Sequence, residues 1–293
     1  MTVPTPGPNS LVTCVACGPT SAILVKTKDH FRIVRCERCS LIFVDSWDTI
    51  RDLEKLYGPP YFLSNGGTPL GYRDYLSDRD LHLKNSHALL AILERTVPGA
   101  RRRILDVGCA HGFFLAAARE RGWAPFGVDI SAEAIEYARD RLGLTVFQGD
   151  LDTHELAAET FDAVAMVGTI EHMPHPLNTL QMAGSLLKPD GVLLITTLDI
   201  EGLLGYFEWK PPEHLFYFSF RTLSNLLDKA GFRVQSRRLY WTWYRVSDVA
   251  ARLWAYWGLP GSTPFVTFLN RLGIGRLSLK IPTNEILVLA QKR

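Results

Sequence analysis

The run from Arg103 to Ile130 constrains the fold of this chain more than any other stretch. Ile104-Leu105-Asp106-Val107 is an apolar segment carrying a carboxylate near its end, and Gly108-Cys109-Ala110-His111-Gly112 is a loop spaced by small residues. A helical pattern follows to about Arg121, and Pro125-Phe126-Gly127-Val128-Asp129-Ile130 is a second apolar segment closing on Asp. Strand, loop, helix and strand in this order build one nucleotide-type binding unit. The loop is not a dinucleotide fingerprint, because Phe113 occupies the third glycine position of Gly-x-Gly-x-x-Gly, nor a Walker loop, because no Lys-Ser/Thr follows Gly112. Asp106 also opposes a pyrophosphate, since two negative charges would be held together near one helix N-terminus. The pattern favours a ligand that is positive near the loop and carries a ribose whose hydroxyls donate to Asp129.

S-adenosylmethionine meets both requirements, with an ammonium and a sulfonium near the loop and two ribose hydroxyls beyond it. At these residues the chain resembles the class I S-adenosylmethionine-dependent methyltransferases, whose first motif is an Asp-x-Gly-x-Gly-x-Gly type loop. Ala110 departs from that motif, replacing its middle glycine with a residue still small enough for close backbone approach. The resemblance implies cofactor contacts at Asp106, Gly108, Ala110, Gly112, Asp129 and Ile130, and at the later strand ends at Asp150, Leu151 and Gly168. In the family an acidic residue at the position of Asp150 receives the adenine amino group. The Leu187-Lys188-Pro189-Asp190-Gly191 turn before an apolar strand also resembles the methyltransferase pattern.

The remaining elements alternate as a parallel sheet requires. Strands are expected at Leu144 to Phe147, Phe161 to Val167, Val192 to Leu198, Phe232 to Leu239 and Glu285 to Ala290, with helices from Ser131 to Arg141, Pro176 to Leu187 and Phe220 to Ala230. The expectation is an α/β fold: a Rossmann-like doubly wound sheet of seven strands, the last antiparallel, with a small N-terminal zinc ribbon and a helical insertion before the last strand. Residues 1–45 form the ribbon, 46–98 a linker and amphipathic helical preface, and 99–293 the methyltransferase domain, with the insertion at 240–284.

Cys14, Cys17, Cys36 and Cys39 form two Cys-x2-Cys knuckles around an 18-residue spacer. Four thiolates suit a tetrahedral zinc ion, and a closed four-sulfur set assigns that ion a structural rather than a catalytic role. Lys26, Lys28, Arg32, Arg35 and Arg38 make the ribbon modestly basic, so it reads either as a nucleic-acid contact or as a cap packed through Leu41, Ile42, Phe43 and Val44; the cap is favoured. The whole chain carries a net charge of only +2, which supplies no global field for nucleic acid. The fifth cysteine, Cys109, reads as a small buried filler.

In the preface, Tyr72 to Thr96 has the apolar spacing of a long helix, preceded by a short helical stretch from Thr49 to Tyr57 and a turn at Asn65 to Gly67. Pro59-Pro60-Tyr61 lacks the polar residue of the Asn-Pro-Pro-Tyr motif of amino methyltransferases, with Gly58 in its place, and reads as a rigid turn. The aromatic residues Tyr57, Tyr61, Phe62, Tyr72 and Tyr75 either cover a cofactor or simply pack.

Chemistry is expected at Glu171-His172, just after a strand, and in Trp209 to Ser219, whose Glu213-His214-Leu215 resembles a loop beside the acceptor pocket of bacterial small-molecule methyltransferases, some acting on sugars. His172 and His214 are candidate general bases for a hydroxyl acceptor, with Glu171 beside them. A cap or pocket-shaping role is the alternative for His172; His111 and His175 compete, and His111 reads as shaping the loop.

The insertion is the most aromatic part of the chain, with helices expected around Val246 to Trp257 and Pro264 to Leu272. It reads as a lid, a homodimer interface or a peripheral membrane contact. No apolar run approaches the roughly 18 residues of a bilayer span, and Met1 to Ser10 lacks the regions of a secretory signal, so a cytoplasmic protein is expected. Taken together, the resemblance implies methylation of oxygen or carbon on a small-molecule acceptor such as a sugar or another secondary or cell-envelope metabolite. An RNA methyltransferase gripping its substrate with the ribbon, and a non-catalytic cofactor-binding scaffold, are the alternatives.

Overall fold

The structure, a computed structural model, describes residues 9–45, 56–62, 74–202, 209–256 and 262–293. The expected turn at Asn65 to Gly67, Tyr72, and all but the end of the stretch from Thr49 to Tyr57 lie outside the described residues, as does Trp257.

The larger of two sheets is built on β5 (Arg103–Val107), whose Ile104, Leu105, Asp106 and Val107 are all buried because helices cover both faces. On one side it pairs in parallel with β6 (Ala124–Asp129) and then β7 (Thr145–Gln148); on the other it pairs in parallel with β8 (Phe161–Val167) and then β9 (Leu187–Leu198). The strand order reverses at β5, and a crevice opens beyond the carboxyl ends at such a point. β12 (Ser278–Lys292) runs antiparallel between β9 and β11 (Phe232–Arg245), completing the order β11-β12-β9-β8-β5-β6-β7.

Helix starts follow local chemistry. α1 (Arg79–Leu93) buries Leu89, Leu90 and Leu93, and α2 (Phe113–Glu120) buries the six residues from Phe113 to Ala118. α3 (Ala132–Asp140) begins at Ser131, whose hydroxyl accepts from the Ala134 N–H. α4 (Pro176–Leu186) opens on a proline at its first turn. α5 (Phe220–Lys229) carries a reciprocal cap, in which Ser219 Oγ accepts from Thr222 N–H and Thr222 Oγ1 accepts from Ser219 N–H.

Several elements differ from expectation: Pro59–Phe62 is a short helix rather than a rigid turn, and the helix expected from Tyr72 to Thr96 covers Arg79–Leu93. The Lys188 to Gly191 turn lies inside the range of β9, because Phe161 pairs with Leu187 and Ala163 then pairs with Val192, leaving the turn to bulge out with Asp190 in the left-handed region. β11 and β12 also run on into the insertion, pairing Trp241 with Pro282 through Arg245 with Ser278, so that only α6 (Val246–Tyr256), α7 (Ser262–Arg271) and a short 3-10 turn at Ile274–Arg276 sit at the ribbon's end.

The smaller sheet is antiparallel throughout: β1 (Asn9–Cys14), β2 (Gly18–Lys28), β3 (Phe31–Cys36), β4 (Ile42–Val44) and β10 (Phe216–Tyr217). Its last strand comes from the far end of the sequence, with Phe43 opposite Phe216 and Ile42 opposite Tyr217. Ile33, Val34, Leu41, Phe43 and Val44 share one buried cluster with Phe216, Phe218 and Leu223, so the two sheets are packed together. No helix of the described residues is long and apolar enough to cross a membrane.

Candidate active site

The β5–α2 loop is folded back on the next strand. Gly108 and Cys109 donate their N–H groups to Val128 O, and Asp129 accepts from Ala110 N–H through Oδ2 and from Ser131 N–H through Oδ1, both at 2.8 Å. Gly108 has φ +77 and a Cβ there would lie 2.4 Å from Thr169 Cγ2, so both conformation and space demand glycine. Ala110 holds φ 45, a left-handed conformation that costs a residue with a Cβ about 1 kcal/mol.

A cavity opens beyond the carboxyl ends of β5, β6 and β8. Gly108, Ala110, Asp129 and Ile130 line it from the first unit, Asp150 and Leu151 from the end of β7, and Gly168 and His172 from the end of β8. Asp106, Gly112, Glu171 and His214 do not line it. Gly112 faces Leu144 and Ala138 instead, at a spacing that leaves no room for a Cβ. Asp106 lies fully buried at the loop's base. Burial first, and then the Asp129 carboxylate, push its carboxyl up to about 8, and its Oδ1 meets no hydrogen-bond partner among the described residues. Burial also raises Asp129, although two backbone N–H groups oppose the shift. A cation in the cavity would draw both carboxyls back toward their charged forms and an anion would not, so the pair suits a positively charged ligand.

The opposite wall is aromatic. Tyr57, Tyr61, Phe62 and Tyr75 line the cavity, with the Tyr57 and Tyr61 rings edge-on at 4.9 Å. Tyr75 stacks on His82 and on His111, and Phe62 meets His111 edge-on at 4.7 Å. His111 is therefore a wall of the loop, and burial pushes its imidazole down to about 4.

His172 closes the far side on a 3-10 turn, Ile170–His172. Its Nδ1 lies 2.7 Å from the Glu213 carbonyl oxygen and 2.9 Å from Tyr57 Oη, and Tyr57 itself donates to the same carbonyl at 3.1 Å. A carbonyl only accepts, so Nδ1 carries the proton and Nε2 is the ring's basic atom. His214 stands behind, its ring edge-on to His172 at 4.8 Å, and burial first, then His172, hold it well below the ordinary imidazole range. Glu171 is also buried and raised by that burial, with Oε2 unpartnered among the described residues. Glu171, His172 and His214 place their ligating atoms within 4.8 Å of one another.

Away from the cavity, Cys14, Cys17, Cys36 and Cys39 gather their sulfurs within 4.8 Å, with Cys14 and Cys39 at 3.7 Å. Tetrahedral zinc–thiolate bonds of ~2.3 Å put sulfurs ~3.8 Å apart, so the cluster has the spacing of such a site. Burial and the neighbouring Cys39 push the Cys17 thiol up to about 11, the penalty that a central cation would reverse. Three of the ribbon's five basic side chains are spent internally: Lys28 donates to Trp209 O, Arg32 pairs with Asp45, and Arg38 donates to Cys17 O.

A methyltransferase-domain profile matches residues 77–237, more than half of the 293-residue chain. The chain belongs to the methyltransferase domain family. A ubiquinone biosynthesis O-methyltransferase from Haemophilus ducreyi is 34% identical to it over 108 residues, 33% of this chain and 46% of that protein. Another of the same name from Actinobacillus pleuropneumoniae is 31% identical over 133 residues, 42% of this chain and 57% of that protein. The methyltransferase chain thus spans about half the length of the curated relatives it matches. An S-adenosylmethionine-dependent methyltransferase structure from Archaeoglobus fulgidus shares the fold at a TM-score of 0.51 and 21% identity, over 74% of this chain and 99% of that one.

Two contributors to the cavity's surroundings had no clear sequence signal. The Glu213 carbonyl is a backbone group supplied by a loop 41 residues after His172. Tyr57 stood out only as one of several aromatics, and its hydroxyl contact could not be read from spacing.

Proposed function

We propose that the protein is an S-adenosylmethionine-dependent methyltransferase acting on a hydroxyl of a small molecule. The observation that carries this reading is the cavity flanked on one side by Asp129 and the Gly108–Ala110 part of the loop, and on the other by His172, whose Nδ1 is held by the Glu213 carbonyl.

Asp129 and Ile130, with Gly108 and Ala110, would hold the ribose and amino-acid portions, Asp106 beneath the loop would be drawn toward its charged form by their positive charge, and Asp150 with Leu151 would receive the adenine end. When bound, S-adenosylmethionine supplies an electrophilic methyl group. The chain's contribution is alignment, with His172 Nε2 taking the acceptor's hydroxyl proton while the Glu213 carbonyl stabilises the proton already on Nδ1. His214 and Glu171, buried behind His172, position that ring. An oxygen acceptor is supported by the O-methyltransferase names of the relatives.

We read residues 1–45 as a zinc ribbon, held by Cys14, Cys17, Cys36 and Cys39, that caps the catalytic unit. Three of its basic side chains have intramolecular partners and its strand β4 is paired with β10 of the catalytic unit, which favours the cap over an RNA grip.

Calorimetry with S-adenosylhomocysteine tests the assignment. The wild type should bind, and Asp129→Ala should weaken binding by roughly tenfold or more, since it removes charge-assisted hydrogen bonds and frees the Ala110 and Ser131 N–H groups. No binding to the wild type would overturn the proposal.

A further inference from the structure

Helix α7 turns its apolar side away from the protein. Val266 is buried, whereas Phe265 and Phe268, one turn apart, and Leu272, the first residue past the helix, are exposed, Phe268 at 55% and Leu272 at 56%. Soluble helices show the opposite arrangement. Ile274, Leu277 and Leu279 continue the exposure just beyond the helix, so that eight of the thirteen exposed large apolar side chains among the described residues fall between Leu239 and Leu279. The elements that carry them are tied together: Trp254 of α6 stacks on Phe265 at 5.2 Å, and Val246 N–H donates to Leu277 O at the base of the hairpin.

Charge adds an independent observation. From Val249 to Asn284 the sequence holds Arg252, Arg271, Arg276 and Lys280 and not one Asp or Glu. Arg271, Arg276 and Lys280 are exposed among the apolar side chains. An isologous contact with a second copy would bring two such sets of cations together with no acid in the segment to offset them. A nucleic acid would match the charge but leave Leu272, Leu277 and Leu279 without an apolar partner. An anionic bilayer satisfies both, with apolar side chains entering the acyl boundary and cations meeting headgroup phosphates.

We propose that the α6–α7 hairpin and the adjoining ends of β11 and β12 form a docking surface for an anionic phospholipid membrane. The inference goes beyond the catalytic reading and is measured without turnover.

The test is cosedimentation of the full chain with vesicles of phosphatidylcholine alone or with about a third phosphatidylglycerol. Binding to the anionic vesicles should exceed binding to the neutral ones by roughly tenfold or more, and should fall as salt rises. Phe268→Ser with Leu272→Ser should reduce it by a further tenfold or so, and Arg271→Glu with Arg276→Glu should erase the preference for phosphatidylglycerol. Both changes lie on exposed side chains, and unchanged S-adenosylhomocysteine affinity and melting temperature would show that each variant is folded. Absence of anionic-vesicle binding by the wild type, or binding indifferent to both double substitutions, overturns the proposal. So does a concentration-dependent dimer that Phe268→Ser with Leu272→Ser dissociates, or binding to RNA without binding to vesicles. Vesicle binding without S-adenosylhomocysteine binding would sink the catalytic reading alone.

Discussion

His172 carries the most specific prediction because its two nitrogens are distinguished by their partners. The Glu213 carbonyl holds the proton on Nδ1, leaving Nε2 as the nitrogen able to accept one. His172→Ala should lower turnover by about 10²–10⁴-fold with little change in S-adenosylhomocysteine affinity, as single-turnover kinetics and calorimetry would show. Tyr57→Phe, which removes one hydroxyl from the same carbonyl, should cost about tenfold or less. Two other imidazoles lower stability in acid. Burial holds both His82 and His111 at about 4, against an ordinary value of 6.5. Above pH 6.5 these rings are neutral in both folded and unfolded chains and contribute no slope. As pH falls from 6.5 to about 4 the unfolded chain takes up protons that the folded one refuses, so stability is lost, by up to about 3 kcal/mol per ring. Asp106, raised to about 8, gains stability in the same window and opposes this slope, so the ring's share is read by difference: the urea midpoint of His111→Asn should fall less, or rise more, than that of the wild type between pH 6.5 and about 4.

At the scale of elements, β10 was not expected. Val44 N–H donates to Leu215 O on one side of this segment, and Leu215 N–H donates to Glu171 O on the other, so the cysteine cap and the His172 turn share a two-residue strand. Cys36→Ser should abolish stoichiometric zinc and speed amide exchange of Leu215, Phe216 and Tyr217 by about tenfold or more, while the buried amides of α2 stay protected. Equal protection in both proteins would show that the cap does not hold β10. The β5–α2–β6 unit was legible because Asp106, Gly108, Gly112 and Asp129 each answer to a local demand of charge, backbone angle or space. Phe216-Tyr217 was not, since two residues carry no period and their partner lies more than 170 residues earlier. The same holds for the extension of β11 and β12: Tyr240 to Arg245 alternates too weakly to announce a strand, and only its pairing with Ser278 to Pro282 makes it one.

At the scale of the molecule, the carboxyl ends of the parallel strands form one side of the cavity, and polar contacts moor the elements around it to each other. The edge strand β11 would expose its backbone, but Asn85 of α1 covers it: Oδ1 accepts from Trp243 N–H at 2.8 Å and Nδ2 donates to Trp243 O at 3.2 Å, as a neighbouring strand would. Arg245 pairs with Asp78 at 2.7 Å just before the same helix, and Lys84 of that helix lies over the Trp243 ring. His82, also on α1, stacks on Tyr75, which lines the cavity. The hairpin is therefore tied to the aromatic wall through a single helix. Asn85→Ala leaves two backbone groups of Trp243 without this partner and should lower stability by about 1–3 kcal/mol. Hydrogen exchange should localise the loss to Trp241 through Arg245 and their partners from Ser278 to Pro282, with Gly108 to Gly112 unaffected. If the Gly108 to Gly112 loop loosens equally, α1 supports the cofactor site directly and the hairpin is not an independently moored unit.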